Sequence, residues 1–197
     1  MKQLILASQS PRRSEILKKA GYQFVSLPVH VSEIPNKNLN LDEQIVDIAR
    51  RKSQACSGLP QVQGLDALII SADTLVCLNG KTLGKPENEH VAYEYLLRLS
   101  GREHEVKTAV ILLDQTTRKE VSHIETTRIF FKKLSDAVIK DYIATGEPMD
   151  KAGAYGIQGL GGQFVEKYDG DFHNVVGLPL QALEKIFKIN EWTFLKS

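Results

Sequence analysis

Hydrophobic positions come in blocks whose period changes along the chain. Residues 4–7 (Leu-Ile-Leu-Ala) are a short continuous apolar run, the pattern of a buried strand. A helix is predicted from Pro11 to about residue 20. Ser10 stands where an N-cap belongs, Pro11 takes the first helical position, where its missing N–H costs nothing, and Gly21 ends the helix. Residues 23–29 read as a second strand, leading into a polar loop over 32–40. The next helix spans 41–57, with Asp42 and Glu43 in its first turn and Gly58-Leu59-Pro60 beyond its end. Residues 67–74 (Ala-Leu-Ile-Ile-Ser-Ala-Asp-Thr) are nearly all apolar and predict a strand buried on both faces. Asn79-Gly80, between Val76-Cys77-Leu78 and Lys81-Thr82-Leu83, predicts a type I′ hairpin. A helix over 89–99 follows, then two long strands near 105–113 and 121–131 joined by a polar turn. Ser135 caps a helix that Gly146 ends; a glycine-rich stretch over 153–162 precedes a strand to about residue 168, and Pro179 opens a last helix. Strands and helices alternate early and hairpins dominate the middle. That mixture predicts an α/β protein, a mixed sheet with flanking helices in two lobes around a cleft.

Composition narrows the function classes. The 197 residues suit one domain or two closely packed lobes, and no repeat or linker divides them. A formal net charge of +1 gives no broad basic field, so extended nucleic-acid binding is not expected and any anion site must be local. Cys56 and Cys77 lie in no Cys-x-x-Cys or Cys/His cluster and read as reduced thiols of a cytosolic protein. The apolar run at the N-terminus is too short for a signal peptide, and no run approaches the length of a membrane span, so a cytoplasmic protein is expected.

Against that background a few charged residues stand out. Arg12 and Arg13 put positive charge in a first helical turn, where the macrodipole favours acids. Free backbone N–H groups and paired guanidinium groups at one helix start suit an oxyanion such as phosphate; the alternative is two solvated arginines. Asp73 follows Leu68-Ile69-Ile70-Ser71-Ala72 and is expected at the carboxyl end of a central strand, where open α/β sheets place ligands. A carboxylate there binds Mg²⁺ or takes a proton from an attacking water, unless it only starts a turn. Glu33, in the polar loop, is a second carboxylate whose plain reading is a solvated side chain. Lys52 falls on the helical face marked by Ile45, Ile48, Ala49 and Cys56, so it either snorkels outward or enters a polar pocket, and it is more telling than Arg50 and Arg51. Lys85, in Leu83-Gly84-Lys85-Pro86, follows a glycine that permits close backbone approach, but the spacing is not that of a Walker A loop. The segment over 150–159 combines three glycines with Gln158, whose amide offers a donor and an acceptor to a planar base; the alternative is a plain glycine-rich turn. It lacks Gly-x-Gly-x-x-Gly spacing, which disfavours a Rossmann dehydrogenase. His173 is a weak candidate base, and Ser8 and Ser10 have no His/Asp partners in triad order.

Several strings coincide with one family. Leu6-Ala7-Ser8-Gln9-Ser10-Pro11-Arg12-Arg13 resembles the N-terminal signature of the Maf family, nucleoside triphosphate pyrophosphatases once called septum formation proteins. Ser71-Ala72-Asp73-Thr74, Leu83-Gly84-Lys85-Pro86, Leu99-Ser100-Gly101-Arg102, Asp150-Lys151-Ala152-Gly153-Ala154-Tyr155-Gly156-Ile157-Gln158-Gly159 and Val176-Gly177-Leu178-Pro179 resemble its other motifs in the same order. The resemblance covers residues 3 to about 187 and leaves only the tail over 189–197 outside. It implies an elongated two-lobed α/β fold similar to inosine triphosphate pyrophosphatases, an active site in the cleft and a homodimer. It also implies hydrolysis between the α and β phosphates of a nucleoside triphosphate, with Mg²⁺ or Mn²⁺. Carried onto this chain, Asp73 is the proton acceptor and Glu33 joins it as a metal ligand. Ser8, Arg12, Lys52 and Lys85 contact phosphates, while Arg12 or Arg13, Thr74 and Gln158 govern substrate choice. The Ala-Gly-Ala-Tyr-Gly-Ile-Gln string resembles the branch acting on dTTP and UTP rather than the sister branch associated with 7-methyl-GTP. Thymine and uracil show an N3–H between two carbonyls, and an amide like that of Gln158 matches part of that edge while rejecting cytosine. Modified pyrimidine triphosphates fit the same reading. A different class, a nucleotide-binding regulator of cell division with incidental hydrolysis, needs the cations but not a water-activating Asp73.

Overall fold

The computed structural model describes residues 1–196. Its elements run β1 (Gln3–Leu6), α1 (Pro11–Lys19), β2 (Phe24–Ser26), α2 (Leu41–Ser57), β3 (Ala67–Leu78), β4 (Lys81–Leu83) and α3 (Glu89–Leu99). They continue β5 (Glu103–Asp114), β6 (Glu120–Phe131), α4 (Asp136–Ala144), β7 (Val165–Asp169), α5 (Phe172–Val176) and α6 (Leu180–Ile189). The strands form one seven-stranded mixed sheet in the order β2-β1-β3-β5-β6-β7, with β4 paired to β3. β1 runs parallel to both β2 and β3, pairing Leu4 with Phe24 and with Leu68. Parallel neighbours need crossovers, which α1 and α2 supply, and strands so covered read as continuous apolar runs. That accounts for the complete burial of residues 4–7 and 67–72.

The chain divides into two compact units. The first comprises Met1–Asp73, Thr108–Glu125 and residues 177–196. Its core includes Ile5, Ala7, Cys56, Ile69 and Leu113. The second comprises Thr74–Lys107 and Thr126–Val176, with Leu96, Val106, Ile129, Phe131, Tyr155 and Phe164 in its core. Phe131 and Tyr155 meet edge to face with ring centroids 4.7 Å apart, a geometry that adds to plain area burial. Both cysteines are buried. Among the described residues no helix is long and apolar enough to cross a membrane.

The helices α2 and α3 occupy the predicted spans because their starts are chemically marked. Asn40 Oδ1 accepts from Glu43 N at 3.0 Å while Asn40 N donates to Glu43 Oε2 at 2.9 Å, a complete capping box. Asn88 Oδ1 likewise accepts from Val91 N at 3.0 Å. Three expectations need correction. The second strand covers only Phe24–Ser26, since its register partner β1 ends at Leu6 opposite Ser26. Ser10 occupies the N-cap of α1 but its side chain makes no capping bond. The predicted strand over 67–74 and the first hairpin strand are one element, β3, because antiparallel pairing of Val76 with Leu83 carries the ladder past Asp73. Asp73 therefore sits within the strand rather than at its carboxyl end. The turn itself is as expected: Asn79 (φ 51°) and Gly80 (φ 74°) both adopt the positive φ of a type I′ hairpin.

Candidate functional site

Along β3, residues 67–72 are buried, Asp73, Thr74 and Leu75 are partly open, and 76–78 are buried again. Asp73 thus occupies a narrow polar window in an otherwise apolar strand. Lys52 projects from the buried face of α2 into that window, its side chain only 11% exposed. Its Nζ donates to Asp73 Oδ1 at 2.8 Å and pairs with Glu33 Oε1 at 2.7 Å. One ammonium is therefore shared by two carboxylates, which resolves the choice left open for Lys52: it enters a polar pocket. The helix is held at this level by Ser71, whose buried Oγ donates to Ala49 O at 2.7 Å. Arg51, one residue before Lys52, grips the loop that carries Glu33. Its guanidinium donates to Ser32 O and, at 3.1 Å, to Ile34 O, and it pairs with Asp47 Oδ2 at 3.1 Å. The carbonyls on both sides of Glu33 are thereby fixed to α2.

The two arginines of α1 have different surroundings. Arg13 is buried; its Nε donates to Gly177 O at 2.7 Å and its Nη1 to Ser8 Oγ at 3.2 Å. Burial pushes the Arg13 guanidinium below its ordinary value, and the Asp73 and Glu33 carboxylates oppose that shift. Ser8, itself buried, also accepts from Ser10 N at 3.1 Å, so its hydroxyl is shaped by the start of α1. Arg12 is half-buried and, among the described residues, makes no hydrogen bond or ion pair. An uncapped helix start with an uncommitted guanidinium is a chemically suitable place for a phosphate oxygen.

A divalent metal fits the donor set on these terms. Asp73 and Glu33 are hard carboxylate donors that meet at the Lys52 ammonium, which holds the point between them, and no group of three His, Cys, Asp or Glu that could hold a metal occurs among the described residues. Two carboxylates without a full protein cage suit Mg²⁺ or Mn²⁺ completed by water and substrate oxygens, not a closed structural site.

In the second unit Thr74 continues β3, and Lys85 follows the β4 hairpin as an exposed side chain. The segment at Gly84 is stitched to the late glycine-rich segment by Gly153 N donating to Gly84 O at 3.0 Å. Gly153 has no substitute there: its φ is +69°, and a Cβ would lie 2.9 Å from Val76 Cγ1. Gln158 is exposed on a turn closed by Gly159 N donating to Gly156 O at 3.2 Å, and its amide makes no hydrogen bond among the described residues. Tyr155, from the same segment, is buried with its hydroxyl 2.7 Å from His104 Nε2. His173 lies 3.9 Å from Asp171, whose Oδ1 accepts His173 N at 2.7 Å, an arrangement that closes a local turn.

Sequence reasoning missed Arg51, Glu147 and His104. Arg51 sits beside the more telling Lys52, and its loop partners are backbone carbonyls that leave no sequence pattern. The Glu147 carboxylate accepts from Leu160 N at 2.9 Å and from Gly161 N at 3.2 Å. His104 reads as one polar residue in a strand and proves to be 2% exposed.

A family model described as Maf-like protein matches residues 3–189. A protein of Bdellovibrio bacteriovorus named dTTP/UTP pyrophosphatase is 56% identical over 184 residues, covering 93% of this chain and 96% of its own. One of Caldicellulosiruptor bescii with the same name is 43% identical over 183 residues, covering 93% and 92%. Among solved structures, a nucleoside-triphosphatase (dITP/XTP pyrophosphatase) from Mycobacterium abscessus covers 96% of this chain and 93% of its own, a loose likeness at 12% identity and a TM-score of 0.43. With a family match from residue 3 to residue 189 and relatives this similar over nearly their whole length, the chain belongs to the Maf-like protein family.

Proposed function

We propose that this chain hydrolyses dTTP and UTP to the nucleoside monophosphate and pyrophosphate. The observation that carries the reading is the Lys52 ammonium shared by Asp73 and Glu33 at 2.8 and 2.7 Å, in a chain whose relatives are named for that activity. Asp73 takes the proton of a water whose oxygen attacks the α-phosphorus; the bond from that phosphorus to the α–β bridging oxygen breaks, and pyrophosphate leaves with the electron pair. Lys52 orients the Asp73 carboxylate toward that water. Ser8 and Arg12 take phosphate oxygens at the start of α1, Lys52 and Lys85 take further ones, and Arg12 or Arg13 and Thr74 take part in substrate choice. A Mg²⁺ or Mn²⁺ ion held by Asp73 and Glu33 would offset charge on the phosphate oxygens. Gln158, exposed and uncommitted, reads the N3–H and carbonyl edge of the pyrimidine. The family resemblance supports a homodimer, which sedimentation tests, and a chain with only two cysteines, in no Cys-x-x-Cys or Cys/His cluster, supports a cytosolic setting.

The test is product analysis across a panel of nucleoside triphosphates with Mg²⁺ or Mn²⁺, scoring pyrophosphate and orthophosphate separately. Pyrophosphate with monophosphate from dTTP and UTP, lost in Asp73→Asn, is the expected result. Orthophosphate alone would move the attack to the terminal phosphate and reject the scheme. Tight binding without turnover would favour a nucleotide-sensing role instead.

A further inference from the structure

Glu147 follows the turn at Gly146 (φ 75°) that ends α4, and it is outside the groups assigned to phosphate or proton handling. Its carboxylate is engaged by one loop and by Tyr142 of α4. Oε2 accepts from Leu160 N at 2.9 Å, and Oε1 accepts from Gly161 N at 3.2 Å and from the Tyr142 hydroxyl at 2.9 Å. Those two N–H groups come from the residues directly after the Gly156–Gly159 turn that presents Gln158. The glycines flanking Gln158 fit this contact. A Cβ on Gly159 would fall on the Glu147 carboxylate, and one on Gly156 would lie 2.7 Å from Lys151 Cε. Lys151 in turn donates its Nζ to Glu147 O at 2.8 Å and to Asp150 Oδ1 at 2.6 Å, which closes the base of the clamp. Burial pushes the Glu147 carboxyl up, but the two backbone N–H groups, Tyr142 and Lys151 together hold it below the usual carboxylate range. The group is thus an ionised acceptor, the form that the three donors require.

We propose that Glu147 is a positioning residue: it fixes the turn that presents Gln158 and thereby sets discrimination between uracil or thymine and cytosine. This rests on the reading of Gln158 given above. An amide on a loose turn cannot hold a donor and an acceptor against one base edge, so selectivity depends on the shell that fixes it. Replacing the carboxylate by an amide points an N–H₂ at an N–H and breaks one side of the clamp while keeping the side chain's shape.

The experiment is steady-state kinetics with UTP and CTP for the wild type, Glu147→Gln, Gln158→Ala and the double variant, with thermal melts of each. In Glu147→Gln the UTP/CTP ratio of kcat/KM is expected to fall about tenfold, chiefly through a higher KM for UTP. On a Gln158→Ala background the same change is expected to leave the ratio where it was, because Glu147 acts through Gln158. Equal losses for UTP and CTP, with the ratio intact, would make Glu147 a purely structural residue and overturn the proposal. A ratio that falls in Gln158→Ala but not in Glu147→Gln overturns it while leaving the reading of Gln158 standing. A ratio unmoved by Gln158→Ala removes the base-reading role and the proposal with it. If Glu147→Gln does not fold, Tyr142→Phe, which deletes one of the three bonds, is read by the same ratio with a smaller expected fall.

Discussion

Lys52 Nζ lies 2.8 Å from Asp73 Oδ1, with side-chain exposures of 11% and 18%, so the cation and the carboxylate hold each other out of bulk water. Removing one partner of such a pair leaves the other charge partly desolvated, which costs several kcal/mol when the site is fully closed and less where water still reaches it. Lys52→Met is expected to lower stability by about 1–3 kcal/mol and turnover by about 100-fold or more. Lys52→Met/Asp73→Asn is expected to be more stable than Lys52→Met alone, since the unpaired carboxylate is gone. Urea unfolding of the three proteins decides this; a double variant that is the less stable one would show that the pair is not the source of the cost.

The grip of Arg51 on Ser32 O and Ile34 O fixes the loop bearing Glu33, so, with Glu33 as the proposed metal ligand, its removal should act on metal affinity rather than on the base. Partners outside the immediate ligands typically change metal affinity by about 10–100-fold. Arg51→Ala is expected to raise the Mg²⁺ concentration for half-maximal activity about tenfold with the dTTP/UTP preference unchanged. Arg50→Ala, which loses only the 2.8 Å pair with Glu120, serves as the control and should leave the Mg²⁺ titration unmoved.

Arg12 and Arg13 are adjacent in sequence but should fail differently. Arg13 bonds Gly177 O and Ser8 Oγ in a buried setting, and hydrogen bonds to a charged group contribute about 1.5–3 kcal/mol. Arg13→Ala is expected to lose that stability together with activity. Arg12→Ala is expected to keep the wild-type melting temperature and raise KM for the triphosphate, because Arg12 has no partner among the described residues to lose. Equal melting shifts in the two variants would contradict the assignment.

How much of this was legible depends on what carries each signal. The spans of α2 and α3 could be read because polar residues mark their ends, and Lys52 could be singled out as a cation on an apolar helical stripe. The continuity of β3 could not, since Asp73, Thr74 and Leu75 interrupt the buried pattern at the point where the candidate site opens. The clamps were invisible for a different reason. Arg51 and Glu147 hold backbone atoms of segments up to 19 and 14 residues away, and a carbonyl or N–H has no residue type to recognise. Position and residue type alone propose Asp73 as a metal or proton acceptor and Gln158 as a reader of a base edge, each beside a duller reading, whereas Glu33 gains a proposed role only through resemblance to the family.

His104 makes stability depend on pH. It is buried beside Phe131 and Tyr155, and burial pushes its imidazole down to about 4 from the ordinary 6.5. Its Nε2 faces the Tyr155 hydroxyl at 2.7 Å, and its buried Nδ1 has no partner among the described residues to stabilise an added proton. Between those two values the unfolded chain binds the proton and the folded chain does not, so stability falls as pH drops through 6.5 toward 4 and is flat in this term above 6.5. The contribution amounts to about 2 kcal/mol between pH 8 and pH 5. Urea titrations at those two pH values should show that loss in the wild type and its near absence in His104→Gln, whose side chain does not titrate. Carboxylates held below their usual range in the fold add their own loss only at lower pH, so the comparison isolates the histidine. The same loss between pH 8 and pH 5 in both proteins would assign the dependence to another group.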